Sequence, residues 1–136
     1  MMRFEKLDPE QSTILQVIDQ LNSLIAHALS RGIQEEQLIL DPGIGFGTNS
    51  WQNVEILNGL AKIKELGFPL LVGPSRKSFI GNLLQKPVAD RVAGTAAAAT
   101  VAIQNGADIL RLHDVKFMKD ILVMTDLLTN KNSGVK

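Results

Sequence analysis

Residues 71–81 read LVGPSRKSFIG. An apolar run stops at Gly73-Pro74, then Ser75, Arg76, Lys77 and Ser78 follow in a row, and Phe79-Ile80 resume an apolar pattern. A short apolar run bounded by punctuation suits a strand buried on both faces. The resumed pattern suits the start of a helix, with Ser78 as its cap and its free N–H groups favouring a carboxylate or phosphate.

Two more apolar runs have the same form. Leu38-Ile39-Leu40 ends in DPGIGFG (41–47), and a third strand is expected in DILRLHDV (108–115). The central one is PLLVG (69–73). Helical spacing fills the intervals. Ile14, Val17, Ile18, Leu21 and Ile25 share a face of a helix that Asp8 caps, Pro9 opens and Gly32 stops. Trp51 to Leu66 is a helix with Ser50 as cap, Leu57, Leu60 and Ile63 inward, Trp51 packed and Gly67 as stop. Ala89 to Gln104 is a helix whose alanines permit close approach to a sheet, and Asn105-Gly106 ends it. Val115 to Leu128 is the last, with Phe117, Ile121, Met124 and Leu128 on its inward stripe. The tail TNKNSGVK (129–136) is expected to fray. Strand starts recur at roughly 30 to 40 residues, which suits βα units and a parallel sheet. The expected fold class is α/β in one domain, with three parallel strands and four main helices.

In such a sheet the carboxyl ends of the strands lie on one face, where ligands bind. That face collects Asp41, the Ser75 to Ser78 run, Arg111 and His113. Asp41 reads either as the first residue of an Asp-Pro-Gly turn or as a carboxylate accepting N–H groups of a flat heterocycle. The GIGFG loop (43–47) lacks the spacing of a nucleotide motif, so its glycines suit a sharp or mobile turn with Phe46 as an aromatic contact. Arg76 and Lys77 read either as solvated cations or as ligand groups. Arg111 and His113, two apart on a strand, point to the same side and form an anion site for phosphate or pyrophosphate. Asp114 caps the last helix, and His27 stands alone as a structural residue.

The bulk properties are those of a soluble globular domain. The 136 residues carry 14 cationic and 14 acidic side chains and no cysteine. Balanced charge gives no footprint for nucleic acid or an anionic membrane, and the lack of cysteine removes disulfides and thiolate metal sites. The N-terminus has no signal-peptide core, and no run reaches the ~20 apolar residues of a membrane span. A cytoplasmic location is expected. No nucleophile with a paired base is evident.

In this order and spacing, LILDPGIGFG (38–47), LVGPSRKSFIG (71–81), DRVAGTAAA (90–98) and RLHDV (111–115) closely resemble the C-terminal half of the dihydropteroate synthase family. The resemblance runs from Gly32 to Val115 and implies a partial TIM (β/α)8 barrel, residues 1–136 supplying the last three strands. It implies a transferase of folate biosynthesis that condenses a hydroxymethyl-dihydropterin pyrophosphate with p-aminobenzoate. Asp41 and Lys77 would bind the pterin, and Arg111 and His113 the pyrophosphate. Phe46, Ser75, Arg76 and Ser78 would border the p-aminobenzoate site, where sulfonamides compete. Lys77, Arg111 and His113 would carry the catalysis. A magnesium ion is implied, with its protein ligand on a strand outside this chain. The partners implied are the two substrates, with a complementing N-terminal half or a homodimer. Alone, the chain is expected to be inactive or nearly so. The alternatives are a non-catalytic fragment that binds pterin or anions, and a related pterin-binding methyltransferase domain.

Overall fold

A computed structural model describes residues 5–129. The expected fraying of the tail, and the first four residues, lie outside this range apart from Thr129. The described chain alternates helices with short parallel strand segments. Its α-helices are α1 (Thr13–Ser30), α2 (Ser50–Asn58), α3 (Leu60–Lys64), α4 (Ser78–Leu84), α5 (Val92–Gln104) and α6 (Val115–Leu128), and its strands are β1 (Leu71–Val72) and β2 (Ile109–Leu110).

The sheet is parallel and centred on β1. Leu71 pairs with Ile109 and Val72 with Leu110, and on the other side Leu40 forms a parallel bridge to Leu70. The bridge closes through Leu40 N–H to the Pro69 carbonyl at 2.9 Å and Leu71 N–H to the Leu40 carbonyl at 2.8 Å. The three apolar runs therefore lie side by side in the expected sense, although the ladders are shorter than the runs. Leu40, Leu70 and Val72 are buried with Ile56, Leu60 and Ile63 of α2 and α3 and with Val17 and Leu21 of α1. This apolar cluster is the core, and its non-directional attraction fixes the helices on the sheet.

Several element ends differ from expectation. Helix α1 starts at Thr13 behind an Ser12 cap, not at Pro9. Asp8 is spent elsewhere: its carboxylate accepts the Glu10 N–H at 2.9 Å and the Gln11 amide at 2.9 Å, forming a turn. Ser50 is not the cap of α2. Asn49 is, because it and Gln52 exchange hydrogen bonds of 2.9 Å in a capping box. The expected helix from Trp51 to Leu66 breaks at Gly59, where a methyl group would stand 2.3 Å from Ile14 Cδ1. Ile14 of α1 therefore packs directly against the backbone at the break. Residues 88–90 form a separate 3-10 turn before α5.

Helix α6 has the expected bounds but turns a neighbouring face inward, with Ile121 of the expected stripe half-buried at its border. Met118 and Thr125 are its buried residues, and the Thr125 hydroxyl lies 3.4 Å from that of Thr100 on α5. Phe117, Met124 and Leu128 of the expected inward stripe are exposed. Trp51, expected to pack, is 68% exposed. Among the described residues no helix is long and apolar enough to cross a membrane.

Candidate functional site

The loop after β1 is built around Arg76, whose φ of 55° lies in the left-handed region. That turn reverses the chain between the buried Ser75 and Lys77, the residue that precedes α4. Lys77, not Ser78, occupies the cap position, and it contributes no side-chain cap. Ser78 is the first helical residue and is exposed.

The Lys77 side chain turns back over the glycine loop. Its Nζ donates to the Ile44 carbonyl at 2.8 Å and lies 4.1 Å from the centre of the Phe46 ring. Gly45, with φ of +78°, leaves room for the stem: a methyl group there would meet Lys77 Cδ at 3.0 Å. Burial lowers the Lys77 amine below the usual lysine range, Arg111 lowers it further, and Asp41 opposes both. One ammonium is therefore set among a carbonyl, a ring face, a carboxylate and a second cation.

Asp41 fits both of its readings. Oδ1 accepts the Gly43 N–H at 2.9 Å, as a turn-former does. Oδ2 has no hydrogen-bond partner among the described residues and remains an acceptor. Sequence reasoning missed Asn53, which is buried in α2 and organises the same loop. Its Oδ1 accepts the Gly45 N–H at 2.7 Å and the Thr48 hydroxyl at 2.9 Å, and its amide donates to the Asn49 carbonyl at 2.6 Å. An asparagine at a buried helix position was the available signal. Phe46 itself is 56% exposed at the loop tip.

Two side-chain pairs join the β1–α4 loop to the β2–α6 loop. Ser75 Oγ lies 2.8 Å from His113 Nδ1 and accepts the His113 backbone N–H at 3.1 Å. The Ser75 hydroxyl thus holds both the ring and the backbone of His113 in place. Arg76 donates from Nε and Nη2 to the two oxygens of Asp114 at 2.9 and 2.5 Å. This pairing raises Arg76 and lowers Asp114 from their usual ranges. It also corrects the assignment of Asp114 as a helix cap: the residue stands at that position, but its carboxylate caps nothing.

Beyond β2 the expected strand gives way to a bend, yet the alignment with the β1 loop persists. Arg111 N–H donates to the Val72 carbonyl at 3.0 Å, and a methyl group at Gly73 would stand 3.2 Å from Arg111 Nη2. The guanidinium therefore lies over Gly73 while the imidazole lies beside Ser75. Asp41, Lys77, Arg111 and His113 all sit at the carboxyl ends of the three segments, and Asp114 is occupied by Arg76. The result is an excess of donors suited to an anion, with one carboxylate beside it. His27 is exposed in the last turn of α1, away from this group. Among the described residues no three His, Cys, Asp or Glu side chains gather as a metal site.

Fold and site define a parallel α/β protein with its polar groups gathered at the carboxyl edge of the sheet. The chain belongs to the pterin binding enzyme family, which it matches over residues 2–113. It is 54% identical over 98 residues to a dihydropteroate synthase of Synechocystis sp., an overlap of 71% of this chain and 34% of that protein. A dihydropteroate synthase of Coxiella burnetii solved with pteroic acid superposes with a TM-score of 0.86 at 32% identity, covering 92% of this chain and 49% of that one. The Yersinia pestis enzyme with a pterine-sulfa conjugate gives a TM-score of 0.86 at 33% identity, covering 96% and 50%. The chain thus spans from about a third to a half of the length of these relatives.

Proposed function

We propose that these residues form the last three strand-helix units of a dihydropteroate synthase barrel and carry half of its substrate site. In this reading the pterin lies between the free oxygen of Asp41 and the Lys77 ammonium. Arg111 and the His113 imidazole hold the pyrophosphate. Phe46 and Ser78 border the p-aminobenzoate, while Ser75 and Arg76 support that side through His113 and Asp114. The observation that carries the reading is the setting of Lys77, placed between Asp41 and Arg111 at the carboxyl edge of the sheet. The pterin and sulfa ligands of the similar enzymes support it.

The chemistry follows from charge. The bond from the pterin methylene carbon to the pyrophosphate oxygen breaks, and the pyrophosphate leaves with the electron pair. The amine of p-aminobenzoate forms the new carbon–nitrogen bond and gives up a proton to solvent. Fixed donors beneath the leaving oxygen stabilise the charge as it develops, and a fixed carboxylate orients the electron-rich ring. Magnesium would add positive charge at the pyrophosphate when bound, and the residues described here are assigned no step through it.

Ile39 and Ile109, on the two outer segments of the sheet, are 54% and 38% exposed. Apolar strand residues open to water support a face that the rest of a barrel covers. The reading is tested by assaying dihydropteroate formation from the pterin pyrophosphate, p-aminobenzoate and magnesium, with this chain alone and with a chain supplying the other strands. Activity on mixing, abolished by Lys77→Ala, is the expected result. Turnover by the chain alone would overturn the half-site, and failure to bind pterin in the mixture would overturn the assignment altogether, leaving a non-catalytic or methyltransferase-like role.

A further inference from the structure

The start of α5 reaches back to the loop that carries Lys77. Arg91, immediately before α5, donates from Nη1 to the carbonyls of Arg76 at 3.1 Å and Lys77 at 3.4 Å, and from Nε to that of Lys86 at 3.1 Å. Thr95, fully buried, accepts the Arg76 N–H at 2.9 Å. The two residues are four apart and so share a helix face. Together they take the N–H and carbonyl of Arg76 and the carbonyl of Lys77. These are the backbone groups on either side of a left-handed residue, a conformation that persists in a non-glycine residue only where its surroundings over-determine it. Gly81 in α4 makes the space: a methyl group there would lie 2.2 Å from Arg91 Nη2.

We propose that Arg91 is a positioning residue for Lys77: with Thr95 it holds the left-handed turn at Arg76 and so keeps the ammonium on the Ile44 carbonyl and the Phe46 ring. The guanidinium never touches a ligand in this arrangement and acts through the peptide groups of the loop. Its importance for pterin binding rests on the function proposed above, whereas its effect on the placement of Lys77 does not.

The charged groups that act on the Lys77 amine are Asp41 and Arg111, neither of which bonds to Arg91. A change in Lys77 titration on altering Arg91 therefore reports the loop geometry and not a lost charge contact. The test is amine labelling of Lys77 against pH, read by mass spectrometry on the 136-residue chain, with its exposed lysines as internal references. Arg91→Ala, Gly81→Ala and Thr95→Val are each expected to raise the Lys77 midpoint measurably, toward the other lysines. Arg91→Lys is expected to fall between wild type and Arg91→Ala. In the Gly81→Ala background Arg91→Lys is expected to recover part of the shift, since the slimmer ammonium avoids the added methyl.

An unchanged midpoint in Gly81→Ala and Arg91→Ala chains with native circular dichroism would overturn the proposal. So would unfolding of every variant, because the grip would then be a requirement of the fold and not a means of placing one amine. Pterin binding is followed in parallel by fluorescence. Failure of the wild-type chain, mixed with the remaining strands, to bind pterin would sink the functional reading while the labelling result stood. Where wild type binds, Arg91→Ala is expected to weaken it about tenfold.

Discussion

Arg76 and Asp114 meet fork to fork, two donors against two acceptors, and so tie the loop after β1 to the start of α6. Both side chains keep a quarter to a third of their surface in water, so salt screens the pair. Its stabilisation has a definite pH dependence. Asp114 is lowered in the folded state, so its contribution is complete above the ordinary carboxylate pKa and fades as pH falls through the lowered folded value. The difference in urea midpoint between wild type and Asp114→Asn is therefore expected to be constant near neutrality, to shrink below about pH 4, and to diminish in high salt. A difference that grows on acidification would contradict the pairing.

Ser75→Ala removes the partner of His113 at both its ring and its backbone. His113 is itself exposed, so water takes over the lost partner and the expected cost by denaturant titration is the net worth of the bonds, about 1 kcal/mol. Pyrophosphate affinity, measured by calorimetry on the active mixture, is expected to fall as well, because the His113 ring is no longer held in place. Unchanged affinity would separate His113 from the anion.

Lys77→Met keeps the stem and removes the charge. A folded-state pKa below the usual value means that the protonated amine costs stability until pH rises through that folded value. At neutral pH the variant is expected to lose no more than about 1 kcal/mol, the net worth of the bond to the Ile44 carbonyl, because relief of the buried charge offsets it. Pterin affinity is expected to drop about 10- to 100-fold, the worth of a charge-assisted hydrogen bond. For wild type, the alkaline limb of pterin binding is expected below the ordinary lysine pKa of about 10.4.

Gly45→Ala strains the glycine loop directly. The left-handed backbone costs alanine about 1–2 kcal/mol, and the methyl crowds the Lys77 stem. Stability is expected to fall by that amount and pterin affinity with it. Gly32→Ala, also at positive φ but with open space around it, is expected to lose stability without loss of affinity.

The parts of this arrangement that were legible in the sequence are those determined locally. Each apolar run ended in punctuation followed by polar groups, and parallel connectivity then brings those ends to one edge. Gly32 and Gly67 stop helices at positive φ, as their positions suggested. The inward face of α6 was not legible, because Val115, Phe117, Met118, Ile121, Met124 and Leu128 leave more than one apolar stripe and only the packing on α5 chooses Met118 and Thr125. The packing of Ile14 from α1 against Gly59 was also out of reach, since it involves another helix. Which cations were already engaged was equally hidden, since Arg76 is claimed by Asp114 whereas Lys77 is held by a neutral carbonyl.

The pairs that build the site are far apart along the chain. Ser75 to His113 and Arg76 to Asp114 each span 38 positions, and Lys77 to Ile44 spans 33. Helix formation by itself therefore creates none of them, and each needs the closure of a loop of 33 or 38 positions before it can form. Both anchors on the far side belong to consecutive residues at the head of α6. Opening of that segment therefore releases the imidazole and the arginine fork together, while Lys77 stays on the Ile44 carbonyl, so the anion side of the site and the pterin side come apart separately.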